Sequence, residues 1–269
     1  MSRIEKRLGT LGRAGEKALV AFIVAGDPAL DATAALIPAL DRAGVDILEI
    51  GVPFSDPTAD GVTIQEASQR ALKGGTTLPA VLDLIRSARK RTDIPIVLFG
   101  YYNPIFSFGN EAFARAAGAA GVDGLLVVDL PPEESSELRR YTDPEGLDFI
   151  SLVAPTTPDE RIAWIAGKSS GFLYYISMTG ITGTGRPDPS GVKKDVKRIR
   201  RATALPVMVG FGISTPGQAS EMASFADGVV VGSALVQRIH ENRERGDMVK
   251  KACEYASLMK KALSPSKKA

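Results

Sequence analysis

With one cysteine and one histidine in 269 residues, the chain lacks the means for much of the chemistry open to a protein of its size. Cys253 alone excludes an internal disulfide framework and a cysteine-rich zinc site. A lone thiol in late helical sequence reads as a packed or partly exposed residue in a reducing compartment. His240 alone excludes a histidine cluster around a catalytic metal, and a Ser-His-Asp triad with it. No apolar run approaches the length of a membrane span. Basic residues precede ALVAFIVAG, Ala18 to Gly26, as in a secretion signal, but Glu16 and Lys17 sit directly against it and Asp27-Pro28 follows. With no small-residue cleavage site, the segment reads as the first strand of a cytoplasmic protein. Charge of one sign is also missing. The formal net charge is +2 and spread along the chain, which predicts no nucleic-acid partner. The densest basic run, Lys193, Lys194, Lys197, Arg198, Arg200 and Arg201, reads as the solvated face of a helix.

What is present is ordinary globular composition, 44% hydrophobic and 24% charged, with a strong alternation of segments. Short β-branched runs recur at Leu19–Val24, Asp46–Ile50, Ile96–Phe99, Gly124–Val128, Phe149–Val153, Phe172–Ile176, Val207–Val209 and Gly228–Val231. Amphipathic stretches such as Asp31–Ala43, Leu78–Lys90 and Met248–Leu263 lie between them. Continuously apolar strands imply burial on both faces, hence a parallel sheet under helices. Eight such units in about 250 residues is the count of a single (β/α)8 TIM barrel. An open doubly wound sheet would carry a G-x-G-x-x-G turn after an early strand, and none is present. Ile4, Leu8 and Leu11 share one helical face, which predicts an extra N-terminal helix closing the bottom of the barrel. The expected domain is residues 1–264, with 265–269 a frayed tail. Two connections are long for such a fold, GVPFSDPTADG after strand two and the Gly- and Pro-rich Met178–Gly191 after strand six, the second a candidate lid.

Carboxylates are the reactive groups left. Val45, Ile47 and Glu49 share one side of strand two, and Glu49 lies near its C-terminal end, where barrels do their chemistry. Facing inward, Glu49 enters the mouth; facing outward, it would need a buried partner beneath a helix. The inward reading costs less and predicts a raised pKa. Asp60 lies on the loop arching over the same mouth, although Asp-Gly is also a common turn pair. No expected strand contains a lysine, which argues against a Schiff base. Metal-free acid–base chemistry remains, and breaking a carbon–carbon bond that way needs an electron sink within the substrate. After strands seven and eight come GFGIS, Gly210–Ser214, and GSALV, Gly232–Val236, glycines at the two connections where barrels commonly hold a phosphate. Gly183 could complete that site. Phe22, Tyr101, Tyr102, Tyr174 and Phe211 fall near strand ends and could form a slot for an aromatic group, or simply pack.

LEIGVPFSDPTADG, Leu48 to Gly61, closely resembles the signature loop of the tryptophan synthase alpha subunit family. The resemblance continues in order through TIQEASQRAL, YYNPIF, VDGLLVVDLP, YYISMTGITGTG, VGFGIS and VVVGSALV, over nearly the whole chain. It implies a lyase that cleaves indole-3-glycerol phosphate reversibly to indole and glyceraldehyde 3-phosphate, without a cofactor in this chain. It also implies an alpha2-beta2 heterotetramer whose beta subunit carries PLP and receives indole through a tunnel. By the resemblance Glu49 is the general acid–base and Asp60 the partner of the indole nitrogen. Gly183, Gly212, Gly232 and Ser233 match phosphate contacts, and Thr182 a lid residue that closes on the catalytic Asp. Phe22, Tyr101, Tyr174 and Phe211 fall to substrate binding. Asp56, the loop Asn103-Pro104-Ile105-Phe106 and the turn Asp129-Leu130-Pro131 fall to the partner interface. Thr58 departs from the usual aliphatic residue of the family, and Met178 occupies a position that is basic in some members. A stand-alone lyase, a phosphosugar isomerase and a non-catalytic phosphate-binding barrel are the competing readings.

Overall fold

The computed structural model describes residues 1–177, 188–210 and 212–264. The strands are β1 (Ala18–Val24), β2 (Ile47–Gly51), β3 (Ile96–Gly100), β4 (Gly124–Val127), β5 (Asp148–Phe149), β6 (Ser151–Val153), β7 (Leu173–Ile176), β8 (Val207–Gly210) and β9 (Gly228–Val231). Every pairing is parallel, in the order β5-β4-β3-β2-β1-β9-β8-β7-β6. The two ends of that order, β5 and β6, are separated in sequence by Ile150 alone. The expected fifth strand is therefore one segment whose first half pairs with β4 and whose second half pairs with β7. Between them the Ile150 amide donates to the Leu125 carbonyl at 2.9 Å. A TIM barrel is closed in this way by its own chain.

Alternation along each strand divides the side chains. Val20, Ile47, Val97, Leu126, Ile150, Phe172, Met208 and Val230 form a buried interior cluster with Ile4, Leu8 and Leu11. Leu19, Ile23, Leu48, Ile50, Leu98 and Val209 join the shell beneath the helices. The three apolar residues of the N-terminal helix Arg3–Ala14 thus plug the bottom, as their spacing predicts. A Ser2–Glu5 capping box starts this helix, and Gly15 ends it in the left-handed region at φ 68°. The glycines of the sheet make room for the plug. A Cβ on Gly124 would lie 3.1 Å from the tip of Ile4 and 2.8 Å from that of Ile150.

Carboxylates at the bottom are structural. Asp46, Asp123 and Asp227 each precede a strand and accept an amide at the start of a neighbouring one, from Leu19, Ile96 and Val207 at 2.8, 2.8 and 2.9 Å. Each also meets a base: Asp46 with Lys260 at 2.7 Å, Asp123 with Arg89 at 2.5 Å, Asp227 with Arg200 at 2.6 Å. Elsewhere two expectations shift. Asn103–Phe106, expected as a loop, lies within a short helix Tyr102–Phe108, with Pro104 in its first turn, where a missing amide costs nothing. The long sixth connection was expected to run to Gly191, but the helix Pro189–Ala202 begins earlier, because Asp188 caps it by accepting from the amides of Ser190 and Gly191. The remainder of that connection, with Met178, Thr182 and Gly183, lies outside the described residues, as do Phe211 and the expected tail. The basic run sits on that helix. Val192, Val196 and Ile199 are buried, while Lys193, Lys194, Lys197, Arg200 and Arg201 face solvent.

Candidate active site

A cavity of about 760 Å³ opens at the C-terminal ends of the strands. Its floor is set by register. Glu49 stands opposite Phe22 on β1 and Val97 on β3, on the interior side of β2. The inward reading of Glu49 therefore holds. The residue is 1% exposed, and its Oε1 has no hydrogen-bond partner among the described residues. Among the described residues no base pairs with it, unlike Asp46 and Asp123 at the other end of the barrel. Burial without a compensating charge pushes its carboxyl from 4.5 up to about 8. Tyr174, also on the cavity wall, is buried, and burial together with the nearby Glu49 raises its hydroxyl well above the usual range. Gly210 makes room for that ring, since a Cβ there would fall 2.2 Å from the Tyr174 hydroxyl oxygen.

Asp60 lines the same cavity from the connection after β2. The Tyr101 hydroxyl donates to its Oδ2 at 3.1 Å and accepts from the Ala59 amide at 3.0 Å. Gln65 Nε2 donates to the Asp60 carbonyl at 2.9 Å, tying the end of the loop to the helix Val62–Lys73. Partial burial raises the Asp60 carboxyl to about 6, a rise limited by the Tyr101 hydrogen bond. At neutral pH the two acids therefore differ in state, Glu49 largely protonated and Asp60 largely ionised.

The opposite rim is built from backbone. Gly212 adopts φ 74°, a left-handed conformation that side chains avoid, and with Ile213, Ser214 and Thr215 it borders the cavity. Gly232, Ser233 and Ala234 border it from the start of the helix Ser233–Glu241, whose first amides have no intrahelical acceptor. A Cβ on Gly232 would make only ordinary contact with Phe22, at 3.6 Å, so packing does not demand glycine there. Gln218 accepts from the amides of Ser214 and Thr215 at 2.9 and 3.1 Å, which fixes the turn.

Of the expected site residues, Glu49, Asp60, Phe22, Tyr174, Gly212, Gly232 and Ser233 meet at this one cavity. Tyr101 is not among its lining residues; it stands behind Asp60, as a support. Phe99, Val128, Leu152 and Ile176 also line the cavity, and the sequence reading passed over them. Their signal was present: each sits on the interior parity near a strand's C-terminal end. None of the expected interface residues lines this cavity. Asp56, Asn103, Phe106, Asp129 and Pro131 are exposed and Pro104 half-buried, and Asp129 accepts from the Tyr102 amide at 2.7 Å. Phe106 is 58% exposed, whereas Ile105 beside it, expected at the same apolar tip, is a core residue. Thr58 is exposed on the second loop, its amide bonded to the Asp56 carbonyl at 2.9 Å. Among the described residues no three acidic, histidine or cysteine side chains group closely enough to hold a metal ion, and no helix is long and apolar enough to cross a membrane.

The family model described as tryptophan synthase alpha chain matches residues 8–264. A tryptophan synthase alpha chain of Geobacter sp. (strain M21) is 52% identical over 263 residues, covering 98% of this chain and 98% of the relative. That of Geobacter sulfurreducens is 51% identical, covering 98% and 99%. The crystal structure of tryptophan synthase subunit alpha from Legionella pneumophila str. Paris superposes with a TM-score of 0.92 at 40% identity, covering 98% of each chain. A chain of tryptophan synthase from M. tuberculosis in its aminoacrylate-bound form gives 0.88 at 32%, covering 98% of this chain and all of that one.

Proposed function

This chain belongs to the tryptophan synthase alpha chain family, and on that premise we propose how its own residues carry out the reaction. The reaction is a reversible retro-aldol cleavage of indole-3-glycerol phosphate to indole and glyceraldehyde 3-phosphate, in L-tryptophan biosynthesis. Glu49 begins protonated and delivers its proton to carbon 3 of the indole ring. The ring becomes an indoleninium cation, the electron sink that metal-free cleavage requires. Asp60, ionised, accepts the indole N–H and stabilises the cation. The Glu49 carboxylate then takes the proton from the glycerol hydroxyl beside the ring. The carbon–carbon bond breaks, its electrons return to the ring, an aldehyde forms, and Glu49 is again protonated. General acid–base help of this kind supplies roughly 10²–10⁴-fold; charge stabilisation by Asp60 and fixed positioning supply the rest.

Gly212, Gly232 and Ser233 hold the phosphate through backbone amides, with Gly183 and Thr182 assigned to the same end and to the lid by resemblance. Phe22 and Tyr174 flank the indole, with Phe211 assigned to the same slot from the sequence. The observation that carries this reading is a buried Glu49, its Oε1 without a hydrogen-bond partner among the described residues, on the floor of the cavity that Asp60 and the two glycine turns border. We read residues 1–264 as one catalytic domain that works in the cytoplasm without a cofactor of its own. The exposed face of Asp56, Asn103, Phe106, Asp129 and Pro131, with Pro104, is assigned to a PLP-bearing beta subunit in an alpha2-beta2 assembly. Incubation with indole-3-glycerol phosphate, with and without a beta subunit, tests this. Indole release that rises strongly with the beta subunit is expected. Release indifferent to it identifies a stand-alone lyase, and no release with either preparation rejects the reading.

A further inference from the structure

We propose that Phe99 sets the substrate specificity of the site, limiting which substituents the six-membered ring of the indole can carry. The inference rests on the reading of the cavity as an indole-3-glycerol phosphate site and adds a residue to it. Phe99 lies on β3 on the interior parity, opposite Gly51 on β2 and Leu126 on β4. Gly51 shares the interior side of β2 with Glu49, so Phe99 stands one layer above the acid, toward the mouth. Gly51 contributes no side chain, and a Cβ there would lie 2.6 Å from Phe22 Cζ. The Phe22 ring fills that gap and meets the Phe99 ring edge to face, centroids 5.1 Å apart at 76°. This contact fixes both rings. Phe99 is only half-buried in the empty cavity, so part of its ring surface is left to a ligand.

Three points constrain how an indole can lie. Carbon 3 must reach Glu49, the N–H must face Asp60, and the glycerol phosphate must run to Gly212 and Gly232. Carbon 2 then lies between the two acids, and the six-membered ring extends into the part of the cavity that Phe99, Val128 and Leu152 line. Phe99 is the largest member of that wall, and the one locked by a second ring. Additional bulk on the benzo ring must therefore compete for space with a phenyl group already packed against a second ring. One methyl group too many in a dry pocket typically costs about 10–200-fold in specificity.

The test uses the reverse reaction, condensation of glyceraldehyde 3-phosphate with indole, with each of its benzo-methylated isomers, and with the isomer methylated at carbon 2. Relative kcat/KM is compared for the unaltered chain, Phe99→Leu and Phe99→Ala. The unaltered chain is expected to disfavour at least one benzo-methylated isomer by about tenfold or more. Both substitutions are expected to shrink that gap by about tenfold while leaving the penalty at carbon 2 unchanged. A general loosening of the fold would relax both penalties together. The proposal is overturned if the unaltered chain uses every benzo-methylated isomer as well as indole. It is equally overturned if the gap survives both substitutions, or if the carbon 2 penalty relaxes in parallel. Cleavage of indole-3-glycerol phosphate by the unaltered chain, run alongside, separates the two readings: if it cleaves and the gaps do not respond, only the role of Phe99 is lost.

Discussion

Replacing Glu49 by Gln should change how the stability of the protein depends on pH, as well as its activity. Glu49 titrates at about 8 in the folded chain against 4.5 as an ordinary glutamate, because burial disfavours its charge and no base among the described residues repays the cost. In the window between these values the unfolded chain releases a proton that the folded chain keeps. Stability is then complete below 4.5 and falls as pH rises toward about 8, by about 1.4 kcal/mol per unit. From pH 5.5 to 7.5 this one side chain costs the fold about 3 kcal/mol, a large part of a typical net stability of about 5–15 kcal/mol. The carboxamide of Glu49→Gln does not titrate. Whatever its buried amide gains or loses is the same at every pH, and the contribution of Asp60 is common to both proteins. Urea unfolding of the two proteins at pH 5.5, 6.5 and 7.5 isolates the effect. The variant should gain on the unaltered chain steadily, by about 3 kcal/mol across that range. Parallel stability curves, differing by less than about 1 kcal/mol in their pH dependence, would refute the claim that Glu49 is held protonated by an uncompensated cavity.

The same two groups should shape the rate. The kcat/KM profile is expected to be bell-shaped, rising through about pH 6 as Asp60 ionises and falling through about pH 8 as Glu49 loses its proton. Stopped assays of indole release from pH 5 to 9.5 would show it, and a flat profile across pH 8 would contradict the role of Glu49. Tyr101→Phe removes the hydrogen bond that lowers the Asp60 carboxyl, so the acid limb should move to higher pH with the alkaline limb in place. A limb that belonged to the substrate phosphate would not respond to this change. Asp60→Asn should cut turnover by about 10²-fold or more with the melting temperature within a few degrees, as fits a group supporting a transition-state charge. Gly232→Ala places a methyl group in ordinary contact with Phe22, so folding should be nearly unaffected, while KM rises about tenfold or more through crowding of the phosphate amides. Equal losses of stability and activity would instead make Gly232 a packing residue.

Much of this was legible because the barrel imposes two simple periods. Apolar strands at regular spacing gave the eight units, and parity within β2 put Glu49 with Val45 and Ile47, while the cost of an unpaired charge beneath a helix favoured the inward face. Ile4, Leu8 and Leu11 marked the plug for the same reason. What parity alone could not reveal was the change of partner at Ile150, since hydrogen bonding to β4 and then to β7 leaves the apolar pattern of Phe149–Val153 unaltered. Pro104 disguised a short helix as a loop, because proline is equally at home in a turn and in a helix's first turn. Tyr101 and Phe99 show where type-based reading falls short. Both are aromatics near the end of one strand, but Phe99 keeps the interior parity of Val97, while Tyr101 follows the strand's end at Gly100 and turns its hydroxyl to Asp60. The difference lies in where the strand ends, which composition does not mark.

The central claim, that one buried carboxyl both gives and takes the proton, is tested most directly by a single-turnover comparison of the unaltered chain with Glu49→Gln. Enzyme in excess of indole-3-glycerol phosphate reports binding and cleavage in one experiment. The account predicts that the variant binds the substrate with an affinity within a few-fold and releases indole at least about 10²-fold more slowly. Release at a rate within a few-fold of the unaltered chain, with binding preserved, would contradict it and place the acid elsewhere in the cavity.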